Sequence, residues 1–232
     1  MKNIPAHVAL IPDGNRRWAK KKGLAAFLGH EKGVDSLKSV LEQVIEMRIP
    51  YFTFWGTSLD NITKRPKGEI NYLYGIIEKQ FQEIADDERT HKNKVKIQVL
   101  GRWQEFFPLK AREAIKRAIE KTKHYNKFHL TFLMAYNGTD EMKECIKTLR
   151  GQKVGITEKT IKQNLWTKDL PPVDLVIRTG TDGDPHMSAG FMMWDISYAQ
   201  LYFIETYFPA FKGKDFEKAV LDYSDRQRRK GA

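Results

Sequence analysis

The sequence predicts an α/β fold, in which one domain has a central, mostly parallel sheet surrounded by helices. Short apolar runs of strand length alternate along the chain with longer segments whose apolar residues recur every three or four positions. Because parallel neighbours need a crossover connection, this alternation favours a parallel sheet with helices on its faces. The length of 232 residues and the hydrophobic content of 41% suit a single core.

The first elements are well marked. Residues 7–12 form an apolar run that ends in Asp13-Gly14-Asn15, which predicts a buried strand, a turn and then a basic helix. Residues 34–49 carry apolar side chains at helical spacing and predict a helix. The aromatic and β-branched run 51–55 predicts the second strand.

The middle of the chain continues the alternation. Residues 70–84 predict an amphipathic helix rich in Tyr and Phe. Residues 94–100 alternate polar and apolar side chains, as a half-buried strand does. Residues 111–122 predict the next helix, and residues 129–136 predict the fourth strand.

The last third of the chain adds two strands and two helices. Residues 140–149 predict a helix that begins at Thr139. The run 173–177 follows two prolines and predicts the fifth strand. Residues 201–204 predict a last short strand, and residues 215–229 predict the closing helix.

Composition excludes several classes of protein. We find no internal repeat and no low-complexity linker, so the chain is predicted to be one domain spanning residues 1–232. Its single cysteine, Cys145, excludes a disulfide framework and a thiolate metal cage. The apolar stretch near the amino terminus is too short, and too interrupted by Pro5 and His7, for a secretory signal. No apolar run approaches the ~20 residues of a membrane span. We therefore expect a cytoplasmic protein.

The net charge of +11 predicts an anionic partner, which could be nucleic acid, a membrane surface or a small phosphorylated substrate. Basic residues cluster at 16–22, 64–67 and 226–230, and the first two clusters closely follow predicted strands. The sequence has no zinc finger, no RNP-type strand and no long basic helix standing alone, so nucleic acid is not expected. Peripheral contact with the inner membrane surface and a phosphorylated substrate both stay open.

Polar side chains collect where the predicted strands end, which is the edge at which parallel sheets bind ligands. An Asp-Gly-Asn turn before a helix aims backbone N–H groups at one spot, and the following arginines add forked donors for phosphate oxygens. The candidates after the first, second, fourth and fifth strands are Asp13, Asn15, Arg16 and Arg17; Thr57, Ser58, Asp60, Asn61 and Arg65; Asn137; and Arg178, Thr179, Asp182, Asp184, His186 and Ser188.

A carboxylate among arginines, as at Asp13, either forms structural ion pairs or holds a divalent metal that bridges it to phosphate oxygens. Arginines at two separate strand ends, Arg17 and Arg178, suggest two polyanion groups. The many large apolar residues near these ends fit a core. Together with two phosphate groups, they also fit an apolar tunnel for a long hydrocarbon.

Six motifs follow one another across nearly the whole chain: HVALIPDGNRRWAKKKG, GHEKG, SLDNITKRPKGEI, DLVIRTG, WDISYAQLYFIETYFPAF and DRQRRKG. In this order they resemble the cis-prenyltransferases, the family of undecaprenyl and dehydrodolichyl diphosphate synthases. The resemblance implies a parallel sheet with surrounding helices, a homodimer and Mg²⁺. It also implies head-to-tail condensation of isopentenyl diphosphate onto an allylic prenyl diphosphate with formation of a Z double bond.

The resemblance also implies roles for single residues. Asp13 is similar to the family's essential aspartate, which holds Mg²⁺ at the allylic diphosphate, and Asn61 to a residue that positions the substrates for catalysis. Ser58, after the second strand, is a further substrate-binding candidate. The other implied substrate-binding residues are Gly14, Asn15, Arg16, Arg17, Trp18 and His30 at the allylic site, Arg65, and Arg178, His186 and Ser188 at the isopentenyl diphosphate.

Three departures from the family pattern concern the diphosphate sites. His186 stands in a lengthened loop where an arginine is expected. Gln200 replaces a glutamate that is associated with the metal in many members, and Ala26 replaces a diphosphate-binding arginine. Because the changes concentrate at the acceptor's site, the identity of the acceptor stays open.

The resemblance predicts a transferase that makes a polyprenyl diphosphate, a precursor of a lipid carrier for glycan assembly. The alternative is a catalytically weak or inactive member that acts as a partner subunit. Retention of Asp13, Asn15, Arg17, Asn61 and Arg178 argues against the alternative, because an inactive subunit has no physical need for an acid among arginines.

Overall fold

The computed structural model describes residues 3–152 and 154–226. Its strands are β1 (His7–Ile11), β2 (Tyr51–Trp55), β3 (Val95–Leu100), β4 (Phe128–Leu133), β5 (Leu175–Thr179) and β6 (Gln200–Ile204). They form one six-stranded sheet in the order β3-β4-β2-β1-β5-β6, with every neighbouring pair parallel. The predicted α/β fold with a mostly parallel sheet is confirmed.

Helices connect the strands, as parallel pairing requires. The described α-helices are α1 (Asn15–Lys21), α2 (Leu28–Glu46), α3 (Leu59–Lys64), α4 (Lys67–Asp86), α5 (Glu88–Lys92), α6 (Trp103–Phe106), α7 (Leu109–Thr122), α8 (Gly138–Gln152), α9 (Glu158–Asn164) and α10 (Gly213–Asp225). A 3-10 helix spans Phe208–Ala210.

Most predicted elements are present, with shifted ends. The second strand is confirmed at both ends, whereas β4 ends at Leu133 because Ala135, with a φ of 49°, turns the chain out of the sheet. The fifth strand begins two residues later than predicted, at Leu175, where pairing with Val8 starts. The predicted closing helix ends early, at Asp225, and residues 227–230 of the basic cluster lie outside the described residues.

The two faces of the sheet bury different cores. Alternate residues of β1, Val8 and Leu10, face a core that includes residues of α2, α4, α7 and α10. Ala9 and Ile11, which point the other way, pack in a second core with Tyr136, Phe191 and Met192. In the part of the chain that the structure describes, no helix is long and apolar enough to cross a membrane.

A cavity of about 1080 Å³ opens at the carboxyl ends of the strands and runs down the first of these faces. Its walls come from α2 and α4 on one side and from β2 and β4 on the other. The predicted apolar tunnel therefore lies between two helices and the sheet.

Candidate functional site

The mouth of the cavity lies where β1, β2 and β5 end. Asp13 follows β1, Thr57 follows β2, and Arg178 lies near the end of β5, and all three line the cavity. Because β1 is flanked by β2 and β5, the topology alone brings these three strand ends together.

Asp13 is held between two arginines. Its Oδ1 accepts hydrogen bonds from the N–H of Gly14 at 2.6 Å and from Nη2 of Arg17 at 2.8 Å. Its Oδ2 accepts from Nη2 of Arg178 at 2.9 Å. Gly14 has a φ of 98°, and a Cβ there would lie 2.5 Å from the Tyr207 ring, so this turn requires glycine.

Arg17 has further acceptors outside the cavity. Its Nη2 also donates to the carbonyl of Gly180 at 2.7 Å, and its Nη1 donates to Oδ2 of Asp182 at 2.6 Å. Partial burial opposes the charge of Arg17, but Asp13 and Asp182 outweigh it and raise the pKa of the guanidinium.

Arg178 is buried, with 5% of its surface exposed, and its contacts join the end of β5 to the loop that follows. Its Nη1 donates to the Ser188 hydroxyl at 2.9 Å and to the backbone carbonyl of His186. Its Nε is buried and lacks a hydrogen-bond partner in the described part of the chain. Arg178 can therefore still donate to a ligand.

His186 touches Arg178 through its backbone, while its ring caps the loop. The ring lies 3.2 Å from the Ser188 hydroxyl through Nε2 and 3.0 Å from the Asp184 carboxylate through Nδ1. His186 is exposed and does not line the cavity, whereas Ser188 does. The ring reaches the cavity only through Ser188.

His30 belongs to a half-buried charged cluster on the α2–α4 side of the mouth. Burial, with help from Arg65, lowers the pKa of His30 to about 4, so its ring is neutral near pH 7. The neutral Nε2 lies 3.0 Å from Nη1 of Arg65 and accepts its N–H. Glu69 binds Nη1 of Arg65 at 2.9 Å and lies 3.7 Å from Nε of Arg16.

Helix α1 presents one face to the cavity. Asn15, Arg16, Arg17 and Lys20 line it. Trp18, which was expected there, does not line the cavity, because it lies on the opposite side of α1 from Arg16 and Lys20. The amide oxygen of Asn15 is buried and has no hydrogen-bond partner among the described residues, so it can accept from a ligand.

The segment after β2 supplies Ser58 and Asn61. Ser58 caps α3, because its hydroxyl accepts the N–H of Asn61 at 3.0 Å. Asn137, which follows β4, accepts the N–H of Leu59 at 3.1 Å and fixes the start of the same helix. Both Ser58 and Asn61 line the cavity.

Below the mouth, apolar side chains form the middle of the wall, whereas its far end also includes charged residues, among them Glu42, Asp87 and Arg89. Phe54, Leu73, Ile77 and Phe132 form its middle. The far end reaches Val95 and several neighbours at the amino ends of the strands. Of the large apolar residues near the strand ends, Phe191 and Met192 instead belong to the core on the opposite face.

The described residues contain no group of three or more His, Cys, Asp or Glu side chains able to hold a metal. Mg²⁺, however, is commonly held by one or two carboxylates together with substrate phosphates and water. Asp13 fits that pattern, because its carboxylate is 36% exposed and lies at the cavity mouth. Gln200 lies at the amino end of β6, whereas the mouth lies at the carboxyl ends of the strands, and Gln200 does not line the cavity. Ala26 lines the cavity but brings no charge to it.

Sequence reasoning missed several residues that hold the site. The sequence assigned no role to Glu69 or Tyr207, and it did not predict the contact between Asp182 and Arg17. Asp182 and Arg17 are 165 positions apart, so only the folded chain brings them together. The acidic residues after the fifth strand were the one available signal.

Comparison with known proteins agrees with this geometry. Residues 11–231 match the family model described as "Putative undecaprenyl diphosphate synthase". The chain is 39% identical to a geranylgeranyl-diphosphate-specific tritrans,polycis-undecaprenyl-diphosphate synthase of Methanocaldococcus jannaschii, over 99% of this chain and 83% of that protein. It is 35% identical to an isoprenyl transferase of Thermotoga maritima, over 98% of this chain and 97% of that protein.

Solved structures are similar along the whole chain. Lavandulyl diphosphate synthase from Lavandula x intermedia, in complex with dimethylallyl diphosphate, superposes with a TM-score of 0.88 at 26% identity, covering 99% of both chains. A probable undecaprenyl diphosphate synthase from Campylobacter jejuni superposes with a TM-score of 0.80 at 27% identity, covering 100% of both chains.

Proposed function

The chain belongs to the cis-prenyltransferase family, and we propose that it condenses isopentenyl diphosphate head-to-tail onto an allylic prenyl diphosphate, with formation of a Z double bond. The observation that carries this proposal is a charged mouth continuous with an apolar tunnel. Such a cavity suits a molecule that is anionic at one end and hydrocarbon along the rest.

The two arginines that bind Asp13, Arg17 and Arg178, suit two diphosphates. In our proposal, Arg17 binds the allylic diphosphate, whose charge grows as the C–O bond breaks, and the donor thereby stabilises the transition state. Arg178 and Ser188 bind the isopentenyl diphosphate, which keeps its diphosphate through the step. The contact from Arg178 to Ser188 and the unpartnered Nε support this assignment.

Mg²⁺ would be held by Asp13 together with substrate phosphate oxygens, and when bound it supplies charge stabilisation to the departing diphosphate. Asn15, Asn61 and the neutral His30 then serve to orient the substrates. The apolar wall excludes water, which protects a carbocation from hydrolysis. Gly14 lets the backbone turn close to Asp13.

We further propose that the product is a polyprenyl diphosphate that serves as a precursor of a lipid carrier for glycan assembly. The archaeal relative is described as specific for geranylgeranyl diphosphate, which makes that compound the first primer to test. The length of the tunnel, which runs the height of the sheet, supports a long product.

A homodimer is part of the proposal. β6 is one of the two edge strands of the sheet, and Leu201 on it is 39% exposed. This edge offers backbone groups and apolar surface with which a second copy could pack.

The test is incubation with isopentenyl diphosphate, an allylic primer and Mg²⁺, followed by sizing of the products. Geranylgeranyl, farnesyl and dimethylallyl diphosphates are compared as primers, and a chelator is added in a matched reaction. We expect chain elongation that requires Mg²⁺. Absence of product with every primer, from a folded dimer, would contradict the proposed function and favour the partner-subunit alternative.

A further inference from the structure

The loop after β5 begins with a tight turn that aims one carboxylate at Arg17. The N–H of Asp184 donates to the carbonyl of Thr181 at 2.9 Å, which closes the turn. Its two central residues, Asp182 and Gly183, have φ values of 47° and 75°. Positive φ at both central positions defines a type I′ turn, for which Asp-Gly is a preferred sequence.

The Asp182 carboxylate is fixed by two neighbours. It accepts from Nη1 of Arg17 at 2.6 Å and from the hydroxyl of Tyr207 at 3.1 Å. The Arg17 guanidinium also lies 5.3 Å from the centre of the Tyr207 ring. Apart from these contacts, the turn is tied down by the N–H of Gly183, which donates to Glu205 at 3.0 Å.

This contact completes the neutralisation of the two arginines that bind Asp13. Asp13 and Gly180 accept from Nη2 of Arg17, and Asp182 accepts from Nη1. Two carboxylates, Asp13 and Asp182, thus balance the two arginines, Arg17 and Arg178. A diphosphate oxygen and a carboxylate oxygen make the same kind of charge-assisted hydrogen bond to a guanidinium, so they compete for it.

We propose that Asp182 is an intramolecular competitor of the diphosphate at Arg17. Its carboxylate occupies the outer donor of Arg17 while the site is empty and is displaced when the diphosphate binds. The tip of the turn, from Asp182 to Asp184, is exposed and held by few contacts, whereas Thr181 at its base is buried and donates its N–H to the carbonyl of Ile204. The tip can therefore move away without disturbing the sheet. The same contact re-forms as diphosphate leaves and thereby favours release. This inference rests on the proposed function, because it takes Arg17 as a diphosphate ligand.

The experiment measures the Kd of inorganic diphosphate by calorimetry, with and without Mg²⁺, in the full chain. Asp182→Asn removes the charge and keeps a residue that a type I′ turn favours. We expect this variant to bind diphosphate about tenfold more tightly, the effect of losing one charge-assisted competitor. Tyr207→Phe, which only frees the carboxylate, should tighten binding less.

Asp184→Asn is the matched control. It removes the same charge from the same turn, but Asp184 contacts His186 and neither arginine. We expect its Kd to stay within about twofold of the wild type, because an exposed charge acts weakly at a distance. Equal tightening in both variants would mean that only net charge matters and would overturn the proposal.

Two other results would also overturn it. An unchanged Kd in a folded Asp182→Asn protein would mean that the contact does not compete, and weaker binding would mean that Asp182 helps to hold the diphosphate or its metal. Because inorganic diphosphate has no prenyl chain, this comparison is independent of product formation. If the condensation assay fails, the comparison of diphosphate Kd values can still be interpreted. If instead Asp182 proves not to compete with diphosphate, the proposed transferase activity is unaffected.

Discussion

Asp13, which follows β1, is both an ion-pair partner and a carboxylate exposed at the cavity mouth, where it could hold a metal. The two interpretations of this residue, a structural pair or a metal ligand, are compatible with its geometry. Arg17 and Arg178 hold the carboxylate in place. In our proposal both turn to phosphate oxygens when substrate binds, and the ion pairs prearrange these donors.

Asp13→Asn should lower kcat at least about a thousandfold, because the loss of the metal's carboxylate removes several kcal/mol of charge stabilisation in the transition state. Asparagine keeps an oxygen that can accept the N–H of Gly14, so the fold should be retained. Steady-state kinetics with saturating Mg²⁺ and thermal unfolding test both statements. Asp60→Asn is the control, since Asp60 is exposed and pairs with Lys64. Half-normal turnover in the Asp13 variant would refute its role.

At the same scale, the sequence could predict which residues line the mouth but not how they pair. Asp13, Asn15, Arg17 and Arg178 follow or end strands of a parallel sheet, so their convergence follows from topology. Arg65 and Glu69 stand four positions apart, the spacing that pairs side chains within one helix, but Arg65 lies between α3 and α4. The pairing of Arg17 with Asp182 depends on the path of the loop after β5, which local spacing does not encode.

At the scale of elements, the sequence predicted which segments form strands better than it predicted where those strands begin and end. β2 lies between Pro50 and a glycine, so its limits are marked locally. The end of β4 is set by Ala135, which adopts positive φ although alanine rarely does, because its N–H donates to Thr57 at 2.9 Å. The short helices α3, α5, α6 and α9 carry too few turns for a periodic signal.

Close packing of α8 against the loop of Gly190 explains one helix start. A Cβ on Gly138 would lie 1.7 Å from the carbonyl oxygen of Gly190, whereas a Cβ on Gly75, within α4, meets nothing within 4 Å. We expect Gly138→Ala to destabilise the protein by about 2 kcal/mol or more, because backbone must move.

Gly75→Ala is the matched control and should stabilise the protein by up to about 1 kcal/mol, the helix-propensity difference between the two residues. Urea unfolding followed by circular dichroism measures both changes. Equal stability of the two variants would show that α8 and the Gly190 loop do not approach closely.

At the scale of the whole molecule, the buried His7 and the half-buried His30 couple folding to pH. Burial lowers the pKa of His7 to about 4, and burial with Arg65 lowers the pKa of His30 to about 4. In the unfolded chain both pKa values are near 6.5. Since the folded state prefers the neutral rings, their stabilising contribution is present above pH 6.5 and is lost as the pH falls from 6.5 toward 4.

When the pH falls from 7.5 to 5, each histidine should therefore lower the free energy of unfolding by about 2 kcal/mol. His7 and His30 lie in different parts of the fold, so the variants His7→Gln and His30→Gln should each remove about half of their joint contribution, and the double variant all of it. Urea titrations at the two pH values measure this, and NMR titration of the rings measures the pKa values directly. Ring titration near pH 6.5 in the folded protein would contradict the prediction.

The tunnel is created by the fold as a whole, and the sequence could predict its existence but not its depth. Apolar residues of α2, α4, β2 and β4 face one another across it, yet each set, taken alone, fits an ordinary core. Val95, the first residue of β3, lines the deep end. If the growing hydrocarbon reaches that depth, a larger side chain there must stop it earlier.

We expect Val95→Phe to shorten the longest products while leaving the first condensation at its normal rate, because the mouth is unchanged. Val99→Phe is the control: Val99 lies four residues on along the same strand and is equally buried, at 8% exposure, but does not line the cavity. Both variants overpack the core and should lose about 1–3 kcal/mol of stability, so a change in product length confined to Val95→Phe reports on the tunnel rather than on folding. Product sizing by chromatography of radiolabelled lipids distinguishes them. An unchanged product distribution in Val95→Phe would mean that chain growth ends above Val95, with the limit set by the aromatic residues Phe81 and Phe132 that line the wall.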